Sequence, residues 1–223
     1  MPALIKKILI RILRNTAGRY YEGARLSKAK APADPFSLFA DWYDIARQVD
    51  PDHYNAMTLA TAAKDFRPSA RMVLLKSFDQ QGFVFYTNYH SRKALELENN
   101  PQASLVFWWK EVYRQVRVEG GVEKVSDAES DAYFSTRPRG SQLGAWASRQ
   151  SSVLASRAEL EGSVADFEKK FQNREVIRPP FWGGFRLKPH TIDFWQGRQD
   201  RLHDRLHYNK TEDEQWALER LAP

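Results

Sequence analysis

Two segments of this 223-residue chain carry residue types at spacings that suit anion binding. In the first, Tyr86-Thr87 closes an extended run and Asn88-Tyr89-His90 leads to Ser91, which opens a short helix with Arg92 and Lys93 in its first turn. Cations are unfavourable there, because unpaired N–H groups already make a helix start positive. They become useful when an anion sits at that end, as a phosphate does. In the second, Tyr133 and Arg137 are four apart and share a helix face, Pro138 breaks the helix, and Arg139 and Ser141 follow in a loop. A phenol, a guanidinium fork and a hydroxyl grouped in this way describe a phosphate pocket. Either segment alone also reads as solvated surface cations. Together they point to a phosphorylated cofactor and a phosphorylated substrate.

Two further runs add cations. Arg71-Met72-Val73-Leu74-Leu75-Lys76 reads as a central strand with a long cation at each end. Regular alternation sends Arg71 and Lys76 to opposite faces, so serving one ligand needs a bulge or a ligand lying along the strand. Snorkelling at the strand ends is the plain alternative. In Arg201-Leu202-His203-Asp204-Arg205, a strand would put Arg201, His203 and Arg205 on one face around a titratable imidazole. Such a ridge suits the reduced, anionic edge of a flavin, and an Arg–His pair can hold and polarise a substrate. An exposed basic edge strand is the competing reading. His203 and His207 would stand roughly 13 Å apart on that strand, too far for one metal ion, so no metal is assigned.

The elements that must position these groups follow from periodicity and breakers. Leu4, Ile5, Ile8, Leu9, Ile12 and Leu13, with Lys6, Lys7, Arg11, Arg14 and Arg19, read as a basic amphipathic helix over 1–21. It suits packing on its own domain or on a partner subunit, with a transit peptide or a membrane-surface helix as alternatives. A polar linker completes residues 1–31, which could serve as a lid, and residues 32–223 form one domain. Asp34-Pro35 opens a second helix, stopped at Asp50-Pro51. Period-two segments then occupy 56–62, 69–78, 83–88, 103–109 and 112–125, with a hairpin turn at Asp79-Gln80-Gln81-Gly82. Ser126-Asp127-Ala128-Glu129 is a capping box, and a polar helix spans 156–172. Strands at 181–187, 191–195 and 201–208, with another at 216–221, close the chain. Many short strands without alternating long helices give a mainly β fold with peripheral helices, an antiparallel barrel.

Composition narrows the class. Hydrophobic residues at 42% and charged residues at 28% exclude a largely disordered chain. No apolar run is long enough to cross a bilayer. Zero cysteines exclude a disulfide framework and fit a reducing compartment such as the cytoplasm. Thirty-four basic against 28 acidic residues give +6, which favours anionic partners. Aromatics at 13%, with seven Trp, suggest stacking surfaces or a large interface. A nucleic-acid-binding barrel is disfavoured, because the cations cluster at helix starts and loops and not in a stripe interleaved with aromatics.

The chain resembles the pyridoxine/pyridoxamine 5′-phosphate oxidase family. The residues that carry the resemblance are Arg71-Met72-Val73-Leu74-Leu75-Lys76, the segment 85–93, the segment 133–146, Gln150-Ser151-Ser152, Phe181-Trp182-Gly183-Gly184-Phe185, Phe194-Trp195-Gln196-Gly197, Arg201-Leu202-His203-Asp204-Arg205 and the terminal Arg220-Leu221-Ala222-Pro223. The resemblance implies an FMN-binding split barrel that oxidises its B6 phosphate substrate with O2. It also implies a homodimer with active sites between subunits, working without nucleic acid or membrane. By motif, Arg71, Met72, Val73, Leu74, Leu75, Lys76, Tyr86, Thr87, Arg92, Lys93, Gln115, Gln150, Ser151, Trp195 and Arg205 would hold FMN. Lys76, Tyr133, Arg137, Ser141, Arg201, Leu202, His203 and Tyr21 would hold substrate, with Arg201 and His203 catalytic. Two departures stand near a lid: Gly18, with Arg19 beside it, where the family places an arginine ahead of Tyr21, and His53-Tyr54 where it commonly has an acid and a proline. A split-barrel flavin reductase or flavin-binding stress protein would share the cofactor set but not the substrate set.

Overall fold

The computed structural model describes residues 26–223; the helix expected over 1–21, Gly18 and Tyr21 lie outside them. Asp34 caps helix α1 (Pro35–Val49), its carboxylate accepting from the Phe36 and Ser37 N–H groups at 3.1 Å each. The helix turns Phe36, Phe39, Trp42, Ala46 and Val49 inward. Phe39 is fully buried, with Phe78, Phe83 and Phe107 at centroid distances of 4.8, 4.9 and 5.2 Å. Much of the aromatic surplus is therefore core.

Strands β1 (Ala56–Ala62), β2 (Pro68–Leu74), β3 (Ser77–Asp79), β4 (Gly82–Asn88), β5 (Gln102–Trp109), β6 (Arg114–Lys124) and β7 (Trp182–Gln196) pair in the order β2-β1-β5-β6-β7-β4-β3. All of these pairings are antiparallel. The expected strand over 69–78 breaks in two, and the break closes the barrel. β2 and β3 are consecutive in the chain yet lie at opposite ends of the pairing path, so the sheet must roll until Leu75-Lys76 can pass from one edge to the other. The Leu75 N–H donates to Asn55 O at 2.8 Å and the Lys76 N–H to Val84 O at 2.9 Å, stitching the seam. Arg71 thus sits on an edge strand, not a central one, and Lys76 lies beyond it at the seam. The opposite-faces problem posed by a single strand does not arise.

The two strands expected at 181–187 and 191–195 are one. β7 pairs with β6 along its length, while its other edge pairs first with β4 and then with β8 (Asp204–Lys210). Pro189 marks the change of partner, opposite a register shift at Glu119/Gly120. It offers no N–H to a ladder, so the sheet splits there. β9 (Trp216–Arg220) extends β8. Helices α2 (Arg92–Asn99), α3 (Asp127–Ser135), α4 (Arg139–Ala147) and α5 (Arg157–Lys170) lie outside the barrel. Among the described residues no helix is long and apolar enough to cross a membrane.

Candidate active site

A cleft of about 640 Å³ opens where the seam, the end of β4 and helices α3 and α4 meet. It unites both anion segments. Thr87, Lys93 and Gln150 line one part, and Lys76, Tyr133, Arg137 and Ser141 line another, with Met72, Val73 and Leu74 along the wall.

The first part is built around Lys93. Its ammonium donates to Gln150 Oε1 at 2.8 Å and to the Thr87 and Ser91 hydroxyls at 3.2 Å each. Burial and the nearby Arg71 push its pKa down to about 8, with Glu96 pulling the other way. Its hydrogen-bond partners are neutral oxygens, so an anion is the partner that would restore its ordinary basicity. Arg92 lines not this cleft but an adjoining groove of about 880 Å³, together with Ser151, Lys64, Arg67 and His90, and Gln150 lines both. The Ser151 hydroxyl accepts from the Arg92 N–H at 3.2 Å and caps α2 across the chain, a contact no local motif announces. Arg71 lies behind the wall, bonded to Glu96.

In the second part Tyr86, Tyr133 and Trp182 form a stack, with centroids 4.0 Å apart for Tyr86–Tyr133 and 5.4 Å for Tyr86–Trp182. Gly184 permits it, since a Cβ there would meet Tyr86 Cε1 at 2.8 Å. Burial, then the Glu129 charge, pushes the Tyr86 phenol up to about 12, so it stays neutral. Arg137 lays its guanidinium over Trp182 at 4.6 Å, and its buried Nη1 has no hydrogen-bond partner. Burial lowers its pKa as well. A buried donor without an acceptor, in a cleft that Ser141 and Lys76 also line, fits a phosphate oxygen. The expected loop after Pro138 is instead helix α4. α3 ends at Ser135, so Arg137 lies in the α3–α4 turn and Ser141 in the first turn of α4. Arg139 faces away, donating to Phe171 O at 2.7 Å and Arg174 O at 2.9 Å.

Gln115, Trp195, Arg201, Leu202, His203 and Arg205 do not line this cleft. Gln115, Trp195 and Arg205 stand side by side across β6, β7 and β8. The expected strand over 201–208 starts only at Asp204, and Arg201 ends a 3₁₀ turn (Gln199–Arg201) with φ 61°. The three-residue ridge is therefore not a strand face. His203 packs on Trp195 at 4.5 Å and its Nδ1 accepts from the Arg198 N–H at 3.0 Å, which leaves Nε2 as the protonated nitrogen of the neutral ring. Burial and Arg201 lower its pKa. Arg205 is held by Asp193 at 2.9 and 3.1 Å. Trp182, at the cleft, and Trp195 occupy opposite ends of β7, about 40 Å along an extended strand. Asn88, Thr136, Pro138, Gly144, Ala145, Ser148 and Trp182 complete the lining and carry no local signal of a site, because tertiary packing, including that of Leu143 and Ala145 of α4 with Phe134 and Trp182, brings them there.

Comparisons with known proteins identify the family and the fold. Residues 50–171 match the family model described as pyridoxamine 5′-phosphate oxidase, and residues 182–223 match one described as the pyridoxine 5′-phosphate oxidase C-terminal dimerisation region. The pyridoxine/pyridoxamine 5′-phosphate oxidase of Acaryochloris marina is 56% identical over 205 residues, covering 92% of this chain and 93% of that protein. That of Rubrobacter xylanophilus is 55% identical over 212 residues, covering 94% and 97%. Among solved structures, PhzG from Burkholderia lata, determined with tetrahydrophenazine-1-carboxylic acid, superposes with a TM-score of 0.86 at 30% identity, covering 92% of this chain and all (100%) of that one. A pyridoxamine 5′-phosphate oxidase-related, FMN-binding protein from Nostoc punctiforme, at 17% identity and a TM-score of 0.68 over 86% of this chain and 99% of that one, shares the fold. The fold is the split barrel, and the chain belongs to the pyridoxine/pyridoxamine 5′-phosphate oxidase family of oxidoreductases.

Proposed function

We propose that the protein oxidises pyridoxine 5′-phosphate or pyridoxamine 5′-phosphate to pyridoxal 5′-phosphate, using FMN and O2 and giving H2O2. The amine substrate also consumes water and releases ammonia. The observation that carries this reading is one cleft with two anion-seeking ends: Lys93 without a carboxylate in hydrogen-bond contact, and Arg137 with an unpartnered buried Nη1. Two phosphate esters in one site are what a phosphorylated flavin and a phosphorylated substrate present.

The residues fit FMN at the Lys93 end. Lys93, Thr87, Gln150 and Ser151 would hold its phosphate, with Arg92 at the rim and the 72–74 backbone along the ring system. When bound, FMN supplies a hydride acceptor and a route for the electrons to O2. Lys76, Tyr133, Arg137 and Ser141 bind the substrate phosphate and fix the pyridine ring in position. Gln115, Trp195, Arg201, His203 and Arg205 come from a second copy of the chain, so that the site lies between the subunits of a homodimer. The match to a dimerisation region over 182–223 supports this, as do their position at the far end of β7 and the exposure of Met72, Trp108 and Leu202 at 61%, 49% and 73%. His203 donates from Nε2 and Arg201 offers its charge, together orienting the C4′ substituent. No side chain need act as a strong base. The lack of cysteine supports a cytoplasmic setting. Lys76, Tyr133, Arg137 and Ser141 set this reading above a flavin reductase or stress protein, which has no use for a second phosphate pocket.

Anaerobic mixing of the flavin-loaded protein with pyridoxamine 5′-phosphate tests it. The flavin absorbance should bleach and return with air. A yellow protein that stays oxidised in the presence of both substrates would refute the substrate assignment.

A further inference from the structure

A buried carboxylate that no step of the reaction uses lies beneath the Lys93 end of the cleft. Glu96 is 6% exposed and stands one helical turn after Arg92 on α2. Its Oε2 accepts from the Thr61 hydroxyl at 2.5 Å, the Ser69 hydroxyl at 2.6 Å and Arg71 Nη2 at 3.1 Å, and its Oε1 accepts from Arg92 Nε at 2.8 Å. Burial opposes its ionisation, but the Ser69, Thr61, Arg92 and Arg71 hydrogen bonds outweigh that and hold the carboxyl down at about 2. It is therefore an anion at neutral pH.

We propose that Glu96 is the positioning residue of the flavin phosphate site, fixing Arg92 and Arg71 and matching the charge of the site to a phosphate monoester dianion. The inference rests on the FMN reading above. Three observations carry it. By taking Nε of Arg92, Glu96 leaves both Nη groups of that guanidinium for another anion. Four of the five N–H donors of Arg71 are taken by protein partners, its Nη1 donating to Thr61 Oγ1 at 2.5 Å and Leu59 O at 3.2 Å and its Nη2 to Ser69 and Glu96, which fixes the guanidinium in place. Arg71 pushes Lys93 toward its neutral form and Glu96 restrains it. Arg71, Arg92 and Lys93 against one carboxylate leave a net charge of about two positive, equal and opposite to a phosphate monoester dianion of about −2.

Two effects of removing the carboxylate have opposite signs. With the cations unmoved, loss of a negative charge near the phosphate would tighten FMN binding. With the cations released, binding weakens. The test is flavin-fluorescence titration of the full-length protein, stripped of its flavin, with FMN and with riboflavin, which lacks the phosphate. Glu96→Gln should weaken FMN by about 10- to 100-fold, the range seen when orienting partners are lost at other ion sites. Riboflavin affinity should not change. Arg92→Gln and the double variant should bind FMN equally weakly, because Glu96 acts through Arg92. Glu96→Asp keeps the charge but is too short to reach Nε, and should show a similar loss; it serves also if Glu96→Gln does not fold. Unchanged or tighter FMN binding, additive losses in the double variant, or an equal loss of riboflavin overturns the role of Glu96. A wild-type protein that takes up neither flavin overturns the cofactor reading and this inference with it.

Discussion

Replacing Arg137 by alanine separates the two phosphate assignments. Its guanidinium has one face on Trp182 at 4.6 Å and a buried Nη1 that no protein group satisfies. On the proposed function, that nitrogen gains a charge-assisted hydrogen bond to the substrate phosphate in a largely desolvated setting. Removing it should cost about 2–4 kcal/mol of substrate binding, on the scale of truncating one member of a charged pair. At about 1.4 kcal/mol per tenfold this is roughly a 30- to 1,000-fold rise in KM. The phosphate lies away from the reacting C4′ and is held alike in the ground and transition states, so kcat should change little. The fold should tolerate the change: losing the stack on Trp182 costs about 0.5–2 kcal/mol, offset in part by no longer burying an unpaired cation. Steady-state kinetics with pyridoxamine 5′-phosphate, alongside flavin content from absorbance, reads both quantities. Loss of flavin with KM unchanged would show that the two phosphate ends have been exchanged.

The other predictions bear on the cofactor end, the assembly and acid stability. Replacing Arg92 and Lys93 together with alanine should leave a protein that purifies nearly free of flavin; full flavin content would refute their role. Lys93 titrates at about 8 beside Arg71, Arg92 and Glu96, with Thr87 and Gln150 as neutral neighbours, and only its protonated form attracts a dianion. FMN affinity measured against pH should therefore hold up to about 8 and fall above it, and Lys93→Gln should abolish that limb. Mixing the Arg137→Ala and His203→Ala variants by co-expression should, at substrate concentrations well below the wild-type KM, restore about a quarter of the wild-type rate if the site is shared, since half the random dimers then carry one intact site. No recovery would place both residues in one chain's site. Glu96 is held at about 2 in the folded chain, below the value of an unfolded glutamate, so its contribution to stability is complete above about pH 4.5 and lost as pH falls toward 2. That contribution is on the order of 3 kcal/mol, and Glu96→Gln should flatten acid unfolding followed by circular dichroism across this range.

Where an element depends only on local chemistry, the sequence is sufficient. Asp34-Pro35 starts α1, Ser126 caps α3 by accepting from the Glu129 N–H at 3.1 Å, and the turn at Asp79–Gly82 makes the β3–β4 hairpin. Alternation named β1 to the residue, because one face of it is buried and the period of two is then unambiguous. The types and spacing of Tyr133, Arg137 and Ser141, and of Arg92 and Lys93, suggest anion binding from the sequence, and the structure brings all but Arg92 into one cleft. What failed locally was continuity. Nothing in Arg71–Lys76 says that the sheet rolls and hands the chain from one edge to the other at Leu75. Nothing at Pro189 says that a strand continues past it with a new partner, because β pairing is decided by residues far away in sequence. The site itself is a product of tertiary structure. Lys93 and Arg137 come from segments more than a helix and two strands apart, and only the rolled sheet with α4 across its seam places them in one cleft. Glu96 shows the same division of labour: its i, i+4 spacing from Arg92 is readable in the sequence, but its bonds to Thr61, Ser69 and Arg71 exist only because α2 packs against β1 and β2.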